Sequence, residues 1–190
     1  MGMAAAATKE WTYEMLESLP DDGNRYEIID GELFVTPPPA FGHQRAQWEL
    51  GRLIATYLDR YPVGQGFFAP GDVIIDQRNV VEPDIFVVPR DIVQKSASWK
   101  DIKSLLLAVE ILSPSSARAD RHRKRLLYQR FNVSEYWIVD SDARVIDRWR
   151  PVDARAETLS ELLEWQPISE HPPLRIDLAQ FFARAHGESD

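Results

Sequence analysis

Val81-Glu82-Pro83-Asp84 places an acid directly before the apolar run Ile85 to Val88, and Glu110 interrupts a second apolar run between Val109 and Ile111. A charged group inside an apolar strand is costly unless it is paired, hydrogen-bonded or bound to metal, which makes Glu110 the most informative single residue of the chain. If the strands holding Asp84 and Glu110 are neighbours, a strand spacing of about 4.8 Å lets the two carboxylates share a cation. Oxygen-only ligation of this kind suits Mg²⁺ or Mn²⁺, which can acidify a water and neutralise a phosphoryl oxygen. The plainer alternatives are that Asp84, after a proline, is a turn or cap residue, and that Glu110 pairs with an arginine on a helix.

Asp120 and Lys124 are spaced i, i+4 and Tyr128 lies one turn further, so all three share a helix face. Lys124 could reach over a sheet edge to a scissile phosphate or to an attacking water; otherwise the face is solvated and carries an ordinary Asp/Lys pair worth about 0.2–0.5 kcal/mol. Other chemistries lack their residues. There is no phosphate loop, His-Glu-x-x-His, Gly-x-Ser-x-Gly or dinucleotide fingerprint, and His43, His122, His171 and His186 share no metal-ligand spacing. Zero cysteines exclude disulfides, thiolate zinc and a cysteine nucleophile, and fit a cytoplasmic setting.

The elements that must position these residues follow from pattern and punctuation. Thr12 to Leu19 predicts a short helix stopped at Pro20, and Tyr26–Ile29 with Leu33–Val35 about Asp30-Gly31 predicts a hairpin. Pro37-Pro38-Pro39 is a connector, and apolar residues recurring between Gly42 and Tyr61 predict the first long helix. Strands are expected at Phe67–Ala69 and Val73–Ile75, with a turn at Gln77-Arg78-Asn79, then at Ile85–Val88 and Leu105–Leu112. The last of these does not alternate, as befits a strand buried on both faces. Asp120 to Phe131 reads as a helix with Leu126, Leu127 and Phe131 inward. Tyr136–Val139 and Val145–Trp149 read as strands, while Leu159–Trp165 and Ile176–Ala185 read as helical. This order implies an α/β domain over residues 11–185, a mixed sheet flanked by helices, with flexible ends at 1–10 and 186–190.

The chain has 190 residues, 44% of them apolar, enough for one domain with a real core. No apolar run approaches the roughly 18 residues of a membrane helix, and no export signal is evident, so no membrane partner is expected. The formal charge of −8 argues against a nucleic-acid binder. Yet Arg118 to Arg130 carries six basic residues against Asp120 alone, a local +5 that leaves −13 elsewhere.

Pro83-Asp84, Glu110-Ile111-Leu112 with Ser113-Pro114-Ser115, Asp120 with Lys124 and Tyr128, and Glu135 to Asp140, in this order, resemble the Uma family of restriction-endonuclease-like proteins within the PD-(D/E)xK nuclease superfamily. Tyr26-Glu27, Asp30-Gly31-Glu32-Leu33 and His43 match its N-terminal pattern, and the resemblance spans Trp11 to Arg150. It implies a restriction-endonuclease-like fold with the hairpin as an N-terminal extension, and Mg²⁺- or Mn²⁺-dependent hydrolysis of DNA. Asp84 is then the acid of the Pro-Asp motif, Glu110 the acid of the (D/E)xK element, and both bind the metal. Leu112 stands where the superfamily has lysine; Lys124 on the following helix matches the family's substitute. The resemblance also brings forward Glu27, His43 and Asp120. Glu27 could approach the metal or simply be exposed, and His43 could contact substrate or cap the helix that begins near it. Glu49 lies where related nucleases often contribute an acid.

Two main readings result. In one, the chain is a metal-dependent endodeoxyribonuclease with Asp84, Glu110 and Lys124 catalytic, Arg121, Arg123 and Arg125 on backbone phosphates, and a homodimer offering two sites to two strands. In the other, prompted by Leu112, it is a non-catalytic nucleic-acid-binding or regulatory module that retains the fold. A hydrolase of another phosphodiester, or a structural oligomer subunit, is a third.

Overall fold

The computed structural model describes residues 10–188. A short helix α1 (Tyr13–Leu16) opens it. The hairpin β1 (Arg25–Ile29) and β2 (Glu32–Thr36) turns at Asp30-Gly31, both with positive φ, 53° and 79°. That is the type I′ geometry whose twist matches the flanking strands. Helix α2 (Phe41–Arg60) buries Ala46, Leu50, Ile54, Tyr57 and Leu58 along one stripe and ends before Pro62. Then come β3 (Gly64–Phe68), β4 (Val73–Asp76), β5 (Asn79–Val81), β6 (Ile85–Pro89) and the single turn α3 (Arg90–Val93). The central strand β7 (Leu107–Ile111) leads into a π-helical segment, Ala119–Lys124, that continues as α4 (Arg125–Arg130). The chain finishes with β8 (Tyr136–Asp140), β9 (Val145–Trp149), β10 (Glu157–Leu159), β11 (Leu162–Trp165), β12 (Leu174–Asp177) and α5 (Leu178–His186).

The main sheet has six strands in the order β10-β9-β8-β7-β6-β3, and a second has four in the order β2-β1-β5-β4. Every neighbouring pair in the main sheet is antiparallel except β7 and β8. A parallel pair needs a crossover connection, and here the crossover is the π-helical segment with α4. Topology therefore lays the helix carrying Lys124 across the strand carrying Glu110. Alternation along β7 sends Leu107, Val109 and Ile111 into a core shared with α2, α5, β11 and β12. Ala108 faces a second core with Leu127, Tyr128, Ile138 and the small sheet's Ile29, Val73 and Val81. The result is the mixed α/β architecture expected, with a mixed sheet between flanking layers.

Several local expectations change. The hairpin is more than an extension, because Ile28 pairs with Val80 and makes it half of the four-stranded sheet. Asn79, expected in a turn, begins β5. The predicted helix at Leu159–Trp165 is instead the end of β10 and all of β11; the predicted helix from Ile176 starts only at Leu178, after β12. Leu127 is buried, but Leu126 and Phe131 are exposed. At the chain ends, Glu10 pairs with Arg78 and Glu188 with Arg144, while the other expectations for the termini concern residues 1–9 and 189–190, outside the described range.

Gly31 holds φ +79°, and a Cβ there would sit 2.8 Å from Glu10 Cγ. Gly31→Ala is expected to cost about 1 kcal/mol, read as a lower urea midpoint with an unchanged slope.

Candidate active site

Residues 82–84 carry the chain from the small sheet to the main sheet, and Asp84 stands at that crossing. Ile85 pairs with Val109, so continuing the register sets Asp84 beside Glu110. Asp84 is buried, and its carboxylate is gripped from three directions. Oδ1 accepts from Arg25 Nη2 at 2.9 Å and lies 3.1 Å from His43 Nε2; Oδ2 accepts from the Ile111 amide at 2.7 Å. Gln47 of α2 donates to the Asp84 carbonyl at 2.7 Å.

Glu110, on the centre of β7, faces the crossover helix. Its Oε1 accepts from Lys124 Nζ at 2.9 Å and from the Tyr128 hydroxyl at 3.2 Å. The same ammonium lies 2.8 Å from Glu27 Oε2 of β1 and 3.4 Å from Asp120 Oδ1. Glu27 Oε1 accepts from the Glu82 amide at 2.7 Å, which ties the hairpin to the crossing segment. Lys124 and the three acids around it are each at most 3% exposed.

Five carboxylates, Glu27, Asp84, Glu110, Asp120 and Glu82, which lies 3.4 Å from Arg25, thus surround two side-chain cations, Lys124 and Arg25. Burial pushes Glu110 well above the usual carboxyl range; Lys124 pulls it down, and Asp120, Asp84 and Glu27 push it further up. Asp120 is raised by the same burial. Asp84 is the exception: burial would raise it, but His43, Arg25 and the Ile111 amide together hold it low. Burial alone would lower Lys124, yet Glu110, Glu27 and Asp120 hold it well above an ordinary lysine, so it stays charged. Tyr128, raised by burial and by Glu110, stays a phenol and a donor.

The structure therefore brings together Asp84, Glu110, Lys124, Glu27, His43 and Asp120. It does not bring Glu49, which pairs with Arg52 at 2.7 Å and approaches Arg184 at 3.5 Å on the other side of α2. The arginines nominated for phosphates are mostly engaged within the chain. Arg121 is held by Asp140 at 2.7 Å and Asp147 at 2.8 Å, Arg125 lies over the Trp149 ring and bonds Gln129, and Arg123 pairs with Glu32 at 3.1 Å. Arg25 was missed by sequence reading. Its only signal is its place at the head of the strand that carries Glu27, which says nothing of the sheet crossing it meets.

The family described as "Uma2, putative restriction endonuclease" matches residues 13–180. The chain belongs to the Uma2 family. Among solved structures, a putative nuclease belonging to DUF820 from Anabaena variabilis ATCC 29413 superposes with a TM-score of 0.76 at 19% identity, over 92% of this chain and 98% of that one. At that identity the likeness is one of fold. Comparison with curated proteins gave no match. The Uma2 chain is thus nuclease-like by family, and among its described residues no helix is long and apolar enough to cross a membrane.

The site's fit to a divalent cation can be judged from its donors. Among the described residues no three of His, Asp and Glu form a ready metal cage; Lys124 and Arg25 lie between the acids instead. The donors are nevertheless hard oxygens, the carboxylates outnumber the two cations, and both Asp120 oxygens are buried without an aligned hydrogen bond. That donor chemistry and that charge suit Mg²⁺ or Mn²⁺.

Two outcomes follow for the metal-free protein. Lys124→Met leaves three buried acids without their cation and is expected to cost about 3–5 kcal/mol at neutral pH, with the loss shrinking in acid as the carboxyls take up protons. Glu82 is pushed up to about 7 by burial with Glu27 and Asp72 nearby, against relief from Arg25 and Lys124. The folded chain then keeps a proton that the unfolded chain releases near 4.5, so stability falls as pH rises between those values. Thermal unfolding in EDTA should show Glu82→Gln gaining on the wild type across that window.

Proposed function

We propose that this Uma2 chain is a Mg²⁺- or Mn²⁺-dependent endonuclease hydrolysing DNA phosphodiester bonds. The observation that carries the reading is the 2.9 Å contact between Lys124 Nζ and Glu110 Oε1. Leu112, where the superfamily places lysine, can neither donate a proton nor contact an anion, and Lys124 delivers an ammonium from the crossover helix to the same acid. Asp84 and Glu110 would hold the cation, with Glu27 and Asp120 as neighbouring acids. A bound Mg²⁺ or Mn²⁺ would supply Lewis acidity at the phosphoryl group and an activated water. Arg25, His43 and the Ile111 amide keep Asp84 ionised and fixed in direction. Lys124, released from part of its carboxylate shell by the added positive charge, would orient the attacking water and steady charge developing on the phosphoryl oxygens. A homodimer, presenting two such sites to two strands, belongs to the same reading.

A second reading has its own support. Asp84, Glu110 and Lys124 are each at most 2% exposed and their charges are satisfied within the chain, as in a binding module that keeps the fold without turnover. Nicking of supercoiled DNA in Mg²⁺ or Mn²⁺ separates the two. Asp84→Asn, Glu110→Gln and Lys124→Ala, each checked for folding, are expected to lose on the order of 10²-fold or more in rate. Unchanged cleavage in the Glu110 and Lys124 variants would remove the assignment. DNA binding in EDTA with no cleavage under any divalent cation would favour the binding module.

A further inference from the structure

The contact between the hairpin and the crossover helix has an inner and an outer end. Glu27 and Phe34 are cross-strand partners in the β1–β2 register, and Glu32 lies two residues from Phe34 on the same face. At the inner end Glu27 meets Lys124 at 2.8 Å, almost without exposure; at the outer end Glu32 meets Arg123 at 3.1 Å, about half exposed on both sides. Between β2 and the segment Ser115–Arg123 a groove of about 670 Å³ opens to solvent, lined by Glu32, Phe34, Ser115, Arg118, His122 and Arg123. Its donors differ from the neighbouring arginines. Arg121 is spent on two carboxylates and Arg125 on Trp149 and Gln129. The side chains of Arg118 and His122, both exposed, have no hydrogen bond or ion pair to any described residue. A side chain that finds no internal anion, at the rim of an open groove, is available to an external one. The Glu32 carboxylate already holds Arg123 as a phosphate would.

We propose that this groove is the path of the nucleic-acid backbone, with Arg118, His122 and Arg123 contacting successive phosphates of one strand and Glu32 as the internal anion that the strand displaces. The proposal rests on the nuclease reading for its substrate class. It also explains how a chain of net charge −8 could hold a polyanion: the contact is confined to one strip where the local charge is positive.

The test is binding of a labelled single-stranded oligodeoxynucleotide to the full chain in EDTA, where no cleavage occurs, across a series of salt concentrations. Arg118→Ala and Arg123→Ala should each weaken binding about five- to tenfold at low salt and lower the salt slope by about 1. Glu32→Gln should tighten binding, about two- to fivefold, because it removes the competing carboxylate while sparing the fold. Arg175→Ala, on β12, should bind as the wild type does. Polyglutamate should compete poorly. Wild-type affinity in both arginine variants, weaker binding by Glu32→Gln, equal competition by polyglutamate, or no binding at low salt would each overturn the groove. The two proposals fail separately. Metal-dependent cleavage with binding indifferent to Arg118 and Arg123 removes the groove and leaves the nuclease, whereas groove-dependent binding without cleavage under any divalent cation does the reverse.

Discussion

One buried ammonium organises this molecule. Taking a lysine out of water costs several kcal/mol, and the cost is met only where carboxylates and hydrogen bonds replace the hydration shell. Lys124 finds them on three separate elements: Glu27 on the small sheet, Glu110 on the central strand of the main sheet, and Asp120 one turn back on its own helix. The dependence runs both ways. Three acids at such short range could not remain ionised together without the cation, and the cation could not remain buried without them. The two sheets and the crossover helix are therefore pinned at a single nitrogen atom, and the layers on either side are arranged around that point.

The surroundings of this pin show how the charge is kept in place. Asp84 sits where the chain passes from one sheet to the other, and Arg25 reaches it from the strand that also carries Glu27. From the crossover helix, Arg121 clasps Asp140 at the end of β8 and Asp147 at the middle of β9. The π-helical segment is thus anchored to β8 and β9 by Arg121 and to β7 and the small sheet by Lys124. Widened turns of this kind often mark functional sites. Here the widening spans Ala119–Lys124 and so includes both Asp120 and Lys124.

The parts of this arrangement that could be read from sequence are those written in local chemistry. Asp30-Gly31 announces its hairpin because few residue pairs accept two positive φ values. Glu110 stands out because an acid in an apolar run demands a partner, and the lack of alternation around it marks a strand covered on both faces. Asp120 and Lys124 are paired by spacing alone. What escaped was set at a distance. β5 has only three residues and exists because β1 and β4 flank it. β11 alternates only as Leu-Leu-Glu-Trp, too short to separate a strand from a helical turn. Leu126 and Phe131 are read as inward from their apolar type alone, whereas the face that α4 buries carries Leu127 and Tyr128. Arg25 was invisible because its partner is 59 residues away.

Glu27 and Lys124 come from opposite halves of the chain, and their meeting has a kinetic side. A contact of that sequence separation carries a loop-closure cost that structure formed in between reduces. The hairpin and the β7–α4–β8 unit can each form from nearby residues, but the cluster that joins them cannot. During synthesis Glu27 leaves the ribosome long before Lys124 exists, and until the helix arrives its carboxylate has only solvent and neighbouring strands for company. A chain made only as far as β6 therefore carries Glu27 and Asp84 without the ammonium that ties Glu27 to the main sheet.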